Sequence, residues 1–346
     1  MQSINKRRLA WLSMIVAFGL IAAACGDDDD DAGADTGGDT GSEDEGGGEV
    51  SGDIQISGSS TVEPITAIVA EEFDGQNDTN TFVDGPGTGD GFELFCAGET
   101  DVSDASRPIE DDEVATCEEN GIEYTELLVA YDGMAVMTNA NNDQAPECLS
   151  FADLYAMIGP EAEGISTWAD AQAVASELGS TTELPDVELA LTGPGQESGT
   201  YDSFIEIALE GIAEERGQEP TTRTDYDANA DDNIIISNIE SADSSLGWVG
   251  FAFAEEAGDA VTEMPISEEP GGECVAPSDE TISDQTYPLS RPLFIYINNA
   301  NAEESPALAA FVDFYLADLN TFVEEAGYVT LPDETVADTV STWEAR

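Results

Sequence analysis

Two periods of apolar and polar residues follow one another repeatedly along the chain. Residues 53–57 alternate with the period of a β-strand, and a polar turn at 58–61 then leads into a segment with helical spacing. The same unit recurs from residue 81 and again from residue 189. The two stronger helical faces consist of Val62, Ile65, Val69 and Phe73, and of Tyr201, Phe204, Ile205, Ala208, Leu209 and Ile212. Strands that alternate with helices predict an α/β fold with largely parallel sheets.

Apolar runs in the middle and at the end of the chain complete this pattern. Residues 127–131 and 134–138 are separated by Asp132 and Gly133, which form either a turn or a crossing between two lobes. The remaining predicted elements are one strand and two helices, at 293–297, 308–316 and 336–343. The sequence has no repeat with a period of about 20 to 50 residues, so a solenoid is excluded.

The first 25 residues have the features of an export signal. Lys6, Arg7 and Arg8 precede an apolar stretch at 9–24, and small residues lead directly to Cys25. The apolar stretch is shorter than the roughly 20 residues that a spanning helix needs. We therefore predict a lipoprotein signal at 1–25, with Cys25 as the acylated residue. The alternative is ordinary signal-peptidase cleavage after the last alanine.

Residues 26–52 differ in composition from the rest of the chain. They contain five consecutive aspartates and many glycines, and Val50 is their only large apolar residue. Such a segment cannot bury enough apolar surface to fold, so we predict a disordered acidic tether. The remaining length suits two domains of ordinary size.

The charge of the chain is extreme. It has 75 acidic residues against eight basic ones, and three of the basic residues lie in the predicted signal, which leaves five arginines and no lysine. Nucleic acids and anionic membrane surfaces are therefore excluded as partners, because both need clustered positive charge. The predicted contact with a membrane is through the lipid anchor alone. Adaptation to a salty habitat is the hypothesis that explains this composition.

Four cysteines remain after Cys25 is set aside. An even number in an exported protein predicts two disulfides, for which three connectivities exist. We favour Cys96 with Cys117, which bracket a short segment, and Cys148 with Cys274, which could staple one lobe. A four-cysteine metal site is the alternative, but no C-x-x-C spacing supports it.

The residue types that are missing exclude most enzyme classes. The chain has no histidine, which removes the usual general base, the usual neutral metal ligand and any Ser-His-Asp triad. Without lysine after the signal, a Walker-type phosphate loop and a Ser-Lys dyad are also excluded. No local carboxylate pair stands out among the many acids. We therefore predict a protein that is not an enzyme and has no cofactor and no metal.

Three polar turns that begin helices are the remaining chemical feature. The start of a helix offers unpaired N–H groups and a partial positive charge, so it can bind an oxyanion without lysine. For any single turn, plain helix capping is the alternative. The two Gly-Pro-Gly turns, near residues 86 and 194, would lie in different lobes and face one cleft. Arg107 is the only basic residue between the signal and Arg216, and it could contact an anion or form a surface ion pair.

Several ordered motifs resemble the phosphate-binding proteins of the high-affinity phosphate ABC transporters. The four main motifs are Gly58 to Pro64, Gly87 to Phe92, Ala105 to Ile109 and Gly193 to Asp202. Further matches are at 130–133, 232–233, 246–251, 287–293, 314–316 and 327–328, so the resemblance covers essentially 53–346. It implies a two-lobed type II periplasmic-binding-protein fold with a ligand cleft. Lobe one would be 53–131 and 286–346, and lobe two would be 132–285.

The resemblance also implies a function and a set of ligand residues. The protein would be a monomer that captures inorganic phosphate at the extracytoplasmic face of the membrane, or in a periplasm, for the permease of an ABC transporter. The alternatives are another oxyanion (sulfate, arsenate or molybdate) or a non-transport envelope lipoprotein. The implied phosphate ligands are Ser60, Thr61, Thr88, Ser106, Arg107, Ser198, Gly199 and Thr200.

Two positions depart from better-known members of that family. Those members have an aspartate in the third segment that accepts the proton of hydrogen phosphate, and an arginine before S-G-T. Here the third segment has Ser106, and no arginine precedes Ser198. The resemblance therefore leaves Arg107 to replace the arginine. Asp202 is the candidate proton acceptor, with capping of its helix as the alternative.

The salt hypothesis makes a direct prediction. We expect the midpoint of thermal unfolding to rise as NaCl increases from about 0.1 M to about 1 M, because the Debye length falls from about 10 Å to about 3 Å and repulsion between surface carboxylates weakens. Circular dichroism during heating measures this midpoint. Loss of folding at high salt would contradict the hypothesis.

Overall fold

The computed structural model describes residues 50–196 and 198–346. The predicted signal, Cys25 and nearly all of the predicted tether lie outside the described residues. The first strand begins at Ser51, where Ser51 pairs with Asp78. The tether prediction was therefore wrong for its last two residues, because they take part in a parallel strand ladder.

The strand, turn and helix units predicted near the start of the chain are confirmed. Strand β1 lies between β2 and β3 and is parallel to both. The side chains of the predicted helical face, from Val62 to Phe73, are buried against this sheet. The elements of this part are β1 (Ser51–Gly58), α1 (Glu63–Asp74), β2 (Asp78–Asp84), α2 (Thr88–Cys96), β3 (Val102–Ala105) and α3 (Asp111–Asn120).

One long strand, β4 (Tyr124–Asn139), connects the two halves of the molecule. Up to Gly133 it pairs with β11 (Ser290–Asn298), and from Met134 it pairs with β8 (Ser245–Gly250) and β9 (Val261–Glu263). Residues 129–139 are all buried, which explains the nearly continuous apolar run in the sequence. The Asp132-Gly133 step is therefore a crossing within one strand and not a turn.

The second half repeats the α/β pattern. Strands β7, β6 and β8 are parallel neighbours, and a π-helical stretch, Ile205–Leu209, joins α6 to α7 within the predicted long helix. The other elements here are β5 (Leu149–Ser150), α4 (Phe151–Ile158), α5 (Gln172–Glu177), β6 (Ala190–Pro194), α6 (Gly199–Phe204), α7 (Glu210–Glu215), β7 (Asp227–Asn229), α8 (Asp232–Ser241), α9 (Phe251–Ala257), β10 (Ile266–Ser267) and α10 (Asp279–Ser283).

After α10 the chain returns to the first half, because β11 pairs with both β3 and β4. The strand order is β2-β1-β3-β11-β4-β8-β6-β7, with β9 also on β4. The last helices are α11 (Asn299–Glu304), α12 (Pro306–Ala317), α13 (Leu319–Glu325) and α14 (Asp333–Glu344). The predicted two-lobed α/β architecture is confirmed. The expectation of largely parallel sheets holds within each half only, since every pair that involves β4 or β11 is antiparallel.

Two disulfides join the pairs that the sequence favoured, Cys96 with Cys117 and Cys148 with Cys274. The first connects the end of α2 to α3, and the second connects the segment before β5 to the loop after β10. The lobe boundaries given above stay predictions. Among the helices of the described residues, none has the length and apolar character needed to cross a membrane.

A buried carboxyl lies beneath α1. Asp104 of β3 is 1% exposed, and its Oδ1 atom has no hydrogen-bond partner. Burial raises the pKa of Asp104 to about 8, the repulsion of Glu63 adds to this rise, and a hydrogen bond with Thr66 opposes it. The backbone oxygen of Asp104 accepts the N–H of Ser59 at 2.8 Å, so this residue supports the first polar turn.

We predict that Asp104 makes stability depend on pH. In the unfolded chain its pKa is the ordinary 3.8, so between about pH 4 and pH 8 only the folded state holds this proton. The contribution of this proton to the free energy of unfolding is fully present below pH 4 and is lost as pH rises toward 8. D104N should therefore be more stable than the wild type at pH 7, and thermal unfolding from pH 4 to pH 8 tests this. E71Q, an exposed change on α1, is the control, and an unchanged pH profile in D104N would contradict the assignment.

Candidate functional site

The first polar turn is held by its own serine. The oxygen of Ser59 accepts N–H groups from Val62 and Glu63 at 3.1 and 3.0 Å, and the Ser59 hydroxyl accepts the N–H of Thr61 at 3.2 Å. The hydroxyls of Ser60 and Thr61 have other partners, which lie outside this turn. Ser60 is half-buried and Thr61 is buried.

The second polar turn and the motif Ala105 to Ile109 meet through their hydroxyls. Thr88 Oγ1 lies 3.0 Å from Ser106 Oγ and accepts the backbone N–H of Ser106 at 3.2 Å. The second turn also contacts the first, because the N–H of Gly87 donates to the oxygen of Gly58 at 2.9 Å. Gly87 has a φ of 117°, a backbone conformation that favours glycine. These turns therefore bring three of the predicted ligand segments together.

The motif Gly193 to Asp202 contacts the first turn from the other half of the molecule. Ser198 caps α6 by accepting the N–H of Thr200 at 3.2 Å. One turn later, Asp202 Oδ2 accepts the hydroxyl of Ser60 at 3.0 Å, and Ser203 Oγ lies 3.1 Å from Thr61 Oγ1. The predicted ligand residue Ser60 thus contacts the candidate proton acceptor Asp202, 142 positions away in the sequence, and Thr61 contacts Ser203, which the sequence analysis did not single out.

Gly199 lies where this contact is tightest. A Cβ atom at this position would be 3.3 Å from both the oxygen of Ser60 and the hydroxyl of Tyr328. A larger residue would therefore separate the two turns.

Arg107 follows Ser106 in the motif Ala105 to Ile109, and both Nη atoms of its guanidinium donate to the carboxylate of Glu113. Its two Nη atoms donate to Glu113 at 2.8 and 2.7 Å, and its Nε atom is 3.3 Å from Glu110. The guanidinium also lies over the ring of Phe92, 5.6 Å from its centroid. The hydrogen bond to Glu113 raises the pKa of Arg107. In this structure Arg107 therefore forms the ion pair that the sequence analysis gave as its alternative role.

Arg291 is the arginine that contacts the predicted turns, and the site prediction missed it. Its Nη2 atom donates to Thr61 Oγ1 and to Ser203 Oγ, each at 2.8 Å. Its Nε atom donates to Asp132 at 3.4 Å, and Nη1 donates to Glu206. One signal existed in the sequence, since Arg291 lies in the matched segment 287–293. Nothing in that segment indicates which turns it reaches.

Three carboxyls near Arg291, those of Asp132, Asp202 and Glu210, have a raised pKa. Burial raises the pKa of Asp132, which is 3% exposed, and the Arg291 guanidinium opposes the shift. Burial also raises the pKa of Asp202 and Glu210, and in both cases repulsion from Glu206 adds to the rise. The hydroxyl of Tyr328 belongs to the same surroundings, and burial raises its pKa. The site therefore combines a largely buried arginine, several carboxyls and many neutral donors.

Two cavities border this cluster between the halves. One, of ≈ 540 Å³, is lined by Thr88, Ser106, Arg107 and Arg291 from one half and by Glu206 and Glu210 from the other. The other, of ≈ 460 Å³, is lined on its two sides by Ser60 and Asp202. Pro86 and Gly87 line both. Of the predicted ligand residues, Thr61, Ser198, Gly199 and Thr200 border neither cavity. Thr61 contacts Arg291, and Gly199 lies next to Ser60 and Thr61 of the first turn.

The sequence of this chain is similar to a family model and to known proteins. A model of the PBP superfamily domain matches residues 43–318. Protein SphX of Synechocystis sp. is 40% identical over 284 residues, which cover 81% of this chain and 79% of that protein. The phosphate-binding protein PstS of Staphylococcus saprophyticus is 34% identical, and the match covers 92% of this chain and 88% of that one.

Solved structures agree. The crystal structure of a possible phosphate binding protein from Planctomyces limnophilus is 35% identical, with a TM-score of 0.77 over 86% of this chain and 99% of that chain. An ABC-type phosphate transport receptor from Vibrio cholerae, at 22% identity and a TM-score of 0.56, covers 81% of this chain and 100% of that chain and shares the fold. The chain therefore belongs to the PBP superfamily of solute-binding proteins, and within it to the family that contains SphX and PstS.

Proposed function

We propose that this protein captures inorganic phosphate outside the cytoplasm and delivers it to the permease of an ABC transporter. The observation that carries the proposal is the hydroxyl-rich contact between the two halves of the fold, where Ser60 donates to Asp202 and Arg291 donates to both Thr61 and Ser203. Two comparisons support phosphate as the ligand. The relative PstS is named a phosphate-binding protein, and the similar structure from Planctomyces limnophilus is described as a possible phosphate binding protein.

The proposed ligand set relies on neutral donors. Hydroxyls of Ser60, Thr61, Thr88 and Ser106 donate to the anion, and Ser198, Gly199 and Thr200 contribute hydroxyl or N–H groups from the other half. Several such donors converging on one oxyanion can replace a cluster of lysines, because each hydrogen bond to a charged group is stronger than a neutral one. Arg107 borders the cavity that Thr88 and Ser106 line, and it acts on the anion through its charge. Its two Nη atoms stay hydrogen-bonded to Glu113.

Asp202 is the proposed acceptor for the proton of hydrogen phosphate. It lies beside Ser60, and it is half-buried in the cavity wall. An ionised carboxylate only accepts hydrogen bonds, so it favours an anion that carries a proton and disfavours sulfate, which has none near neutral pH. This arrangement supplies the acceptor that the third segment lacks.

The remaining parts of the proposal concern the location and the partners of the protein. The chain would be anchored through Cys25 at the extracytoplasmic face, with 26–50 as the spacer between the lipid and the folded part. It would act as a monomer and release the ion unchanged, so no enzymatic step is involved. The absence of histidine supports this, because a phosphatase would need another general base.

Calorimetric titration of the full chain tests the ligand. We expect phosphate to bind and sulfate to bind much more weakly. In a fluorescence titration, phosphate should also quench or shift tryptophan emission as the cleft closes. T88V should weaken phosphate binding about 10- to 100-fold, since a hydrogen bond to a charged group contributes about 1.5–3 kcal/mol. T342V on α14, which also removes one hydroxyl, is the control. Sulfate binding as tight as phosphate would refute phosphate selectivity, and arsenate and molybdate complete the comparison.

The role of Asp202 has its own test. D202N should narrow the preference for phosphate over sulfate by about tenfold or more, because an amide can donate to either anion. Because the pKa of Asp202 is raised, the wild-type preference should already decline on mild acidification, as the carboxyl takes up a proton. D243N, an exposed change outside the cleft, is the matched control. Unchanged discrimination in D202N would remove Asp202 from the mechanism.

A further inference from the structure

Arg291 is the cation that reaches both halves of the site. Its side chain is 12% exposed, and a single nitrogen, Nη2, donates to Thr61 in one half and to Ser203 in the other. The same guanidinium borders the larger cavity beside Thr88 and Ser106. A charge in this position can act on an anion that is held by the turns of either half.

The other arginines of the described residues are held by other partners. Arg107 is bound through both prongs to Glu113. Arg216 pairs with Glu161 and Glu177, Arg223 pairs with Asp225, and Arg346 lies over the ring of Trp343. None of these three borders the two cavities of the cleft. Better-known members of the family have an arginine before S-G-T, and this chain has none before Ser198. Arg291 is therefore the arginine best placed to take over that role.

Two carboxylates contact Arg291, and they differ in how firmly they are held. Asp132 is its cross-strand partner on β4 and has a side chain only 4% exposed, so it is a fixed counter-ion. Glu206 pairs with Nη1, but its side chain is 42% exposed. A side chain with that much solvent access can turn away from its partner, whereas the buried carboxyl of Asp132 is also held by a hydrogen bond with Ser203 and cannot leave without an unfavourable loss of compensation.

Glu206 is also part of an unfavourable arrangement of charge. Asp202, Glu206 and Glu210 follow one another at intervals of four residues and line the same cavity. Like charges at this spacing destabilise a helix. Glu206 raises the pKa of both of its neighbours, and the helix is π-helical here, a feature frequent at functional sites. Arg291 lowers the pKa of both neighbours, so it is the charge that offsets the repulsion.

We infer that Arg291 binds the captured oxyanion and that Glu206 occupies the same guanidinium until the anion displaces it. The inference rests on the proposed capture of phosphate and names the residue that sets its selectivity. Thr61 and Ser203 accept from Nη2 and Asp132 accepts from Nε, so Nη1 is the nitrogen left for an anion. The negative charge of Glu206 on Nη1 repels that anion. A carboxylate tethered to the site competes at a fixed local concentration. A monoanion such as chloride is therefore kept off Arg291, whereas a phosphate ion that also gains the hydroxyl and N–H contacts displaces Glu206.

Titration of E206Q with phosphate tests the competition. In buffer of low chloride, E206Q should bind phosphate about tenfold more tightly than the wild type, because the competing carboxylate is gone. In about 1 M NaCl this gain should shrink, since chloride can then reach Arg291. E215Q removes the same charge from an exposed position on α7 and is the matched control. R291Q should bind phosphate at least tenfold more weakly than the wild type.

The outcomes separate this inference from the proposed function. If the wild type binds phosphate and E206Q binds it no better than E215Q does, the competition is overturned while phosphate capture stands. Weaker binding by E206Q would show that Glu206 supports closure and would also overturn the inference. If neither protein binds phosphate, both proposals are overturned.

A measurement without ligand checks the contact itself. In phosphate-free buffer, the effects of E206Q and R291Q on the free energy of unfolding should be clearly non-additive in a double-mutant cycle. Additive effects would show that the two side chains do not interact, and the proposed competition would then fail whatever the protein binds.

Discussion

The guanidinium of Arg291 is held opposite Asp132 by the register of β11 against β4, and the cleft depends on that pairing. Both side chains are nearly buried, so each needs the other to compensate for the loss of water. Strand β4 is shared by both halves, and Asp132 lies next to the point where β4 changes partners. A shift of one residue in this ladder would turn Arg291 to the opposite face of the sheet. The charge of the site is therefore positioned by strand register and not by a mobile loop.

This placement matters because the chain has so little positive charge. Five arginines after the predicted signal face 75 acidic residues in the whole chain, so an anion that approaches the surface is repelled. On the proposed function, attraction comes from short-range groups inside the cleft, where hydroxyls, N–H groups and the guanidinium of Arg291 would act on the anion at hydrogen-bond distance. A high ionic strength would reduce the repulsion outside and affect these enclosed contacts much less. The acidic surface and the neutral donors are thus compatible within one protein.

Local periodicity predicted elements with a clear apolar pattern, such as β1, α1 and α12, because apolar spacing reports which face of a strand or helix is buried. It did not predict others, such as α4 and α8. It left the Asp132-Gly133 step undecided, since continuation of the strand depends on the distant partners β8 and β11. Arg291 could not be found in this way, because Thr61 lies 230 residues from it and only the sheet brings them together. The pairing of Arg107 with Glu113 is different. It spans six residues and includes the capping box of α3, so a closer examination of local sequence could have predicted it.

The contacts between Ser60 and Asp202 give a physical reason for discrimination between dianions. In this structure the Ser60 hydroxyl donates to Asp202. On the proposed assignment, the hydroxyl turns to the bound anion, and Asp202 needs a new donor. Hydrogen phosphate supplies one with its own proton, so every group keeps a partner. Sulfate has no proton to give, so a half-buried carboxylate would face a dianion without a hydrogen bond. An unpaired polar group of this kind is costly, and such a cost lets a polar site reject a ligand that lacks one hydrogen. Selectivity would then come from an unmade hydrogen bond, not from the size or charge of the ion.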